Sequence, residues 1–185
     1  MPNWMRVTLE ISGDKKQMTE FINTIGDGVD SEQIINFEKI IPPPENIFRG
    51  NIGNKEREYC EKNNIPNWYD WNTANWGTKW NASYCELNSN QEGHMVLLFE
   101  TAWALPVPIL ERIEEMVRQD FKKIEIYGEF IEESYAVAGT IFIDKDEAVV
   151  REIQMSFNYD DEDESGTVTA TDEEGYEFKF RNLNN

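Results

Sequence analysis

Between Pro66 and Ala82 the chain reads PNWYDWNTANWGTKWNA, and these seventeen residues hold four of the protein's six tryptophans. An indole ring is a large apolar body with a single N–H donor, suited to a small core or to stacking on another planar group. Here Trp68, Trp71, Trp76 and Trp80 are interleaved with Asn67, Asp70, Asn72, Asn75 and Lys79 rather than with aliphatic residues. That mixture fits two kinds of chemistry. In one, the rings pack as a small structural unit. In the other, Trp68, Trp71, Trp76 and Trp80, with Asn75 beside them, form a lid that stacks on a nucleobase-like group while Lys79 pairs with a phosphate or carboxylate.

Bond-breaking chemistry finds little support. The sequence has no P-loop, no G-x-G-x-x-G and no G-x-S-x-G, the motifs that cradle phosphates or expose a nucleophile. His94 is the only histidine, and in a turn it reads as a solvated residue. Glu132-Glu133 and Glu173-Glu174 are carboxylate pairs of a kind that arises by chance in so acidic a chain. Cys60 and Cys85, 25 positions apart, do not make the four-ligand spacing of a zinc site and are expected to be free packing thiols. The run Asp160-Asp161-Glu162-Asp163-Glu164-Ser165-Gly166 lacks the offsets of a calcium loop. No catalytic residue, metal or cofactor is expected, and the chain does not read as an enzyme.

Charge narrows the partner class. The formal net charge is −19 with a pI near 4.3, which argues against direct contact with nucleic-acid phosphates or an anionic membrane surface. From Glu125 onward there are 17 acidic residues and four basic ones. A solvated acidic face keeps a protein soluble. The sharper reading is a surface made by Asp160, Asp161, Glu162, Asp163, Glu164, Asp172, Glu173 and Glu174, aimed at a basic protein such as the nucleic-acid groove of an enzyme. The start, MPNWMRVTLEIS, has no basic segment followed by an apolar one, and no run reaches the roughly 18 apolar residues of a membrane span. A cytoplasmic setting is expected.

The elements that would position these groups follow from periodicity. Met5, Val7, Leu9 and Ile11 alternate with polar residues as in a half-buried strand. Asp14 is an N-cap for a helix over 14–25, with Met18, Phe21, Ile22 and Ile25 on its apolar face. A second strand is expected from Ile34 to Ile41, stopped by Pro42, Pro43 and Pro44. Residues 45–82 then read as an ordered insertion with a short helix over Lys55–Lys62. Tyr84–Leu87 and Met95–Thr101 read as paired strands, the MVLLF run implying cover on both faces. Pro106–Phe121 is an amphipathic helix. Strands are expected at Ile124–Phe130, Tyr135–Ile143, Val149–Phe157, Thr167–Thr171 and Tyr176–Phe180. The order gives an α+β protein: a ferredoxin-like split βαβ sheet over 1–145 with helices on one face, and an acidic, β-rich extension over 146–185 packed on the same domain.

The segments NWGTKWNA at 75–82, FETAWALPVPILERI at 99–113 and YGEF with AVAGTIF over 127–142 together resemble the ferredoxin-like domain family of plasmid YubB proteins and related phage proteins. The resemblance spans roughly residues 1–145. Its Trp-Gly-Thr-Lys-Trp and Phe-x-Thr-Ala-Trp motifs stand here at Trp76–Trp80 and Phe99–Trp103, while Ala104-Leu105-Pro106 departs from the Ser-Pro-Pro-like helix start. It implies a ferredoxin-like fold, a phage or mobile-element setting in a bacterium, a stack of Trp76, Trp80 and Trp103, and no established reaction. Together these features suggest a non-enzymatic accessory protein that binds a bacterial host protein with a basic surface, inhibiting a nucleic-acid-handling or defence enzyme. The alternatives are the small-ligand lid and a module that homodimerises through an exposed sheet edge.

Overall fold

The computed structural model describes residues 3–90, 93–134, 137–153, 156–157, 167–171 and 177–181. The first strand, β1 (Trp4–Gly13), buries Met5, Val7, Leu9 and Ile11 on one side. The helix α1 (Lys15–Ile25) starts where the Asp14 carboxylate accepts the Gln17 N–H at 3.0 Å, and it buries Met18, Phe21, Ile22 and Ile25. The chain after α1 passes so near Gly26 that a Cβ there would lie 1.7 Å from the Ile34 carbonyl oxygen.

The strand expected at Ile34–Ile41 is absent. Ile34 and Ile35 are both buried, and Phe37 and Ile40 follow three residues apart, a helical rather than an alternating spacing. Asn36 caps a short helix, α2 (Phe37–Ile40), accepting the Glu38 N–H at 3.0 Å. The segment 45–82 is therefore not an insertion between two core strands. It is the later part of one long crossover from α1, through α2, α3 (Asn54–Asn63) and α4 (Trp68–Trp76), to β2 (Ser83–Asn90).

The remaining large-sheet strands are β3 (His94–Ala102), β4 (Ile124–Glu132), β5 (Ala138–Ile143) and β6 (Ala148–Ile153), with α5 (Val107–Gln119) between β3 and β4. The six strands lie in the order β2-β3-β1-β4-β5-β6, every neighbouring pair antiparallel. Asp144 turns the chain into β6 by accepting the Asp146 and Glu147 N–H groups, each at 2.7 Å. The single strand expected at Val149–Phe157 is divided. Its first part is β6, and Ser156–Phe157 is β7, in a three-stranded sheet with β8 (Thr167–Thr171) and β9 (Glu177–Arg181).

The buried residues of α1, α2 and α5, together with Trp76 of α4, form one cluster with Val7, Leu9, Leu97, Phe99, Ile126 and Ile141. All of these strand residues point to the same side of the large sheet, because side chains alternate along each strand. On the opposite side, Val96 and Leu98 of β3 are only half-buried, so full cover on both faces, as implied by MVLLF, is not found among the described residues.

Candidate functional site: an aromatic cluster beside an acidic sheet face

The crossover ends in a sequence of local devices. Asn67 caps α4 by accepting the Asp70 N–H at 3.0 Å. Arg57 from α3 grips both oxygens of Asp70 at 2.7 and 2.5 Å. That guanidinium, followed by the Asn67 amide, lowers the Asp70 pKa. Gly77 stops the helix at φ +76, a left-handed conformation that glycine adopts without a Cβ clash. Thr78, buried, donates its hydroxyl to the Ala102 carbonyl at 2.7 Å. The Trp-Gly-Thr-Lys-Trp motif is thus a helix stop and a pin to the end of β3, separating a tryptophan that points inward from one that points outward.

Trp76 is the inward one. It is 2% exposed, donates its indole N–H to the Ile41 carbonyl at 3.0 Å, and meets Phe37 and Trp71 edge-on. Asn75 donates to the Trp71 carbonyl within the helix, and Trp68 donates its indole N–H to the Gly50 carbonyl. The outward group is Lys79 and Trp80. The Lys79 ammonium lies 4.4 Å from the Trp80 ring centre, 5.0 Å from that of Trp103 and 5.8 Å from that of Tyr69, close enough for cation–π attraction to three rings. Among the described residues, no carboxylate lies within ion-pair distance of it.

The six residues read as one lid are therefore divided: Lys79 lies over Trp80 and Trp103, Trp76 belongs to the core, and Trp68, Trp76 and Trp80 still line one cleft. The expected stack of Trp76, Trp80 and Trp103 becomes a stack of Lys79 against Trp80 and Trp103. Sequence reasoning missed Trp4, Tyr69 and Tyr84. Trp4 approaches Trp80 at 6.0 Å and Tyr84 at 6.2 Å, and the only sequence signal was its place on the polar phase of β1.

Two of these aromatic residues have unusual backbones. Tyr84 has φ +50 and is 72% exposed, and Trp103 has φ +74 and is 46% exposed. Bulky side chains rarely take positive φ, and such strain gathers at functional sites. Tyr84 sits where the β2–β3 register shifts between Ser83 and Glu86. Trp103 is held by its N–H donating to the Asn3 carbonyl.

This cluster adjoins the outer face of the large sheet. Beyond Trp4 on β1, Arg6 forms a 3.2 Å ion pair with Glu100 across the strand. Register then places Glu86, Glu10, Glu129 and Glu125 on the same face, around Val96, Leu98, Tyr127 and Phe142. Arg151 of β6 lies opposite Thr140. Among the described residues, five carboxylates thus face Arg6 and Arg151. Burial, then the neighbouring Glu10 charge, raises the Glu129 pKa. Tyr127 is raised by burial and then by Glu129 and Glu10. His94 is not in a turn: it opens β3, with Nε2 3.6 Å from the Glu10 carboxylate.

The acidic positions Asp160, Asp161, Glu162, Asp163, Glu164, Asp172, Glu173 and Glu174 lie outside the described residues. Cys60 is buried and Cys85 half-buried, both as free thiols, and burial pushes the Cys85 thiol up. Among the described residues no helix is long and apolar enough to cross a membrane, and no cluster of His, Cys, Asp and Glu could hold a metal. In comparison with known proteins, no family model matches the chain, and no curated protein or solved structure matches it significantly.

Proposed function

We propose that this protein is a non-enzymatic binding module that docks the outer face of its large sheet onto a basic surface of another protein. The observation that carries this reading is the continuity of two unlike patches. An aromatic cluster held on strained backbone runs into a sheet face on which Glu10, Glu86, Glu100, Glu125 and Glu129 outnumber Arg6 and Arg151. Exposed Trp and Tyr are the anchors that dominate protein interfaces, and a charged face around them steers the encounter. Glu129, half-buried beside Glu10 with its pKa raised, is a carboxylate whose charge an incoming cation would stabilise.

The core order β2-β3-β1-β4, with helices α1 and α5 in the two crossovers, supports reading residues 4–132 as a ferredoxin-like split βαβ sheet extended by β5 and β6. With the motif resemblance, it supports a phage or mobile-element accessory protein acting in the bacterial cytoplasm. Its target would be a nucleic-acid-handling or defence enzyme, whose basic groove meets carboxylates where phosphates otherwise sit.

The test captures partners from a bacterial lysate with wild-type protein and with the triple variant Glu10→Gln, Glu86→Gln, Glu129→Gln, at about 50 and about 500 mM salt, either side of strong screening. The expected partner is held at low salt, released at high salt and missed by the variant. Capture indifferent to both changes would overturn the reading. A parallel variant neutralising Asp160–Glu164 measures the share of the C-terminal carboxylates.

A further inference from the structure

We propose that the crossover also carries a small-molecule site, a cleft for a planar, uncharged nitrogen heterocycle of nucleobase or nucleoside size. The cleft has a volume of about 300 Å³, and three indoles, those of Trp68, Trp76 and Trp80, line it. That is the lower end of the range for ligand pockets, which are mostly apolar with a few placed polar groups. Two of the indoles are fixed, since Trp68 and Trp76 give their N–H groups to the Gly50 and Ile41 carbonyls. Trp80, 37% exposed, makes no such bond among the described residues and forms the adjustable wall.

The polar group that singles out the ligand is Asn72. It lines the cleft and is 8% exposed. Its amide nitrogen donates to the Lys79 carbonyl at 2.9 Å, so its Oδ1 is left as an acceptor with no donor among the described residues. That oxygen is not sealed from solvent, and a ring N–H or exocyclic amine would satisfy it while the ring lies against indole, where the exclusion of water raises the cost of leaving it unpaired. Asn81, also on the lining, has its acceptor taken: its Oδ1 accepts the Phe37 and Ala82 N–H groups, and one amide N–H donates to Asn36.

The same geometry argues against a phosphate. Arg49, the cation on the lining, is already paired with Glu38 at 2.8 Å. Lys79, which a lid would have aimed at a phosphate, is instead held against Trp80, Trp103 and Tyr69. A nucleoside monophosphate should therefore bind no tighter than its nucleoside, against the background of a −19 chain.

This site does not depend on the outer face, and its test is separate. Tryptophan fluorescence is followed while adenine, guanine, cytosine, uracil, their nucleosides and the corresponding monophosphates are titrated into the full chain. At least one base or nucleoside should give saturable quenching with a Kd below about 1 mM, a modest affinity for a small ligand. Asn72→Ala should weaken it about tenfold, the scale of one lost hydrogen bond. Because Asn72 also braces the loop, Trp80→Ala provides the second variant, and it should weaken binding by a similar factor with the fold intact by circular dichroism. Absence of saturable quenching, binding unchanged in both variants, or a monophosphate preferred tenfold over its nucleoside would overturn the proposal.

Discussion

The crossover and the outer sheet face divide the chemistry of this chain between them. Residues 45–82 carry five acidic residues (Glu45, Glu56, Glu58, Glu61, Asp70) and five basic ones (Arg49, Lys55, Arg57, Lys62, Lys79), and are neutral inside a chain of net charge −19. Many of their polar groups are spent within the crossover from α1 to β2: Arg57 on Asp70, Arg49 on Glu38, Asn81 on Asn36. On the sheet face the reverse holds, with carboxylates in excess and one of them, Glu129, raised in pKa by burial and a like charge. A region that spends most of its charges internally is built to hold a shape. A region whose carboxylates outnumber its cations is built to meet something else.

The largest expected effect is inside the crossover. Trp76→Ala removes a buried indole that touches Phe37 and Trp71 and donates to the Ile41 carbonyl. Loss of a large buried aromatic costs about 3–5 kcal/mol, to be read from denaturant unfolding at constant slope. A loss under about 1 kcal/mol, as for surface positions, would mean the crossover is not part of the core.

The next effect falls on binding rather than on stability. Trp103→Gly and Tyr84→Gly remove exposed rings and release positive-φ backbone, so unfolding free energy should stay within about 1 kcal/mol or rise. Affinity for a captured partner should nevertheless fall tenfold or more, as for interface anchors, which are worth about 2 kcal/mol each. If both variants lose stability and keep affinity, the aromatic cluster is structural and the comparison between the two regions collapses.

The two regions also differed in how far they could be read from residues alone. β1, α1 and α5 announced themselves by strict periodicity joined to a cap or a proline start, and they stand within a few residues of where the pattern put them. The tryptophan segment was legible as ordered and important, but not as two populations of rings. That division depends on Gly77 and Thr78 turning the chain after α4, a tertiary event. The Ile34–Ile41 strand failed because apolar content outweighed spacing, and Asn36 used its side chain to start a helix. The outer face was invisible for another reason. Its carboxylates are spread over β1, β2, β3 and β4, and only register brings Glu10 beside Glu129.

A smaller effect tests the surroundings of Glu129, its burial first and Glu10 second, through pH. Since the folded state raises the Glu129 pKa, it binds that proton more tightly than the unfolded chain does. Stability from this group is therefore greatest below the ordinary carboxylate range and declines as pH rises through the raised value. Asp27 and Asp70 act in the opposite sense. Lys39 and Arg57 respectively lower their pKa values, so the stability they give is present above the ordinary range and lost on acidification. Glu129→Gln should remove only the first of these trends. The variant should be more stable than wild type near pH 7, with the gain vanishing near pH 4. A constant difference across that range would show that folding does not raise the Glu129 pKa.

The smallest effect separates glue from reach. Lys79→Met keeps an unbranched chain in contact with Trp80, Trp103 and Tyr69 but removes the charge over their rings. At a half-exposed site the cation–π contribution is about 0.5–1 kcal/mol, so stability should fall by that much and no further. If Lys79 serves only to bridge the Trp80 and Trp103 rings, partner affinity should change in proportion to that loss. A larger loss of affinity would mean that the ammonium itself meets a carboxylate on the partner. That would give this corner of the acidic interface a positive contact of its own, beside Arg6 and Arg151 on the sheet face.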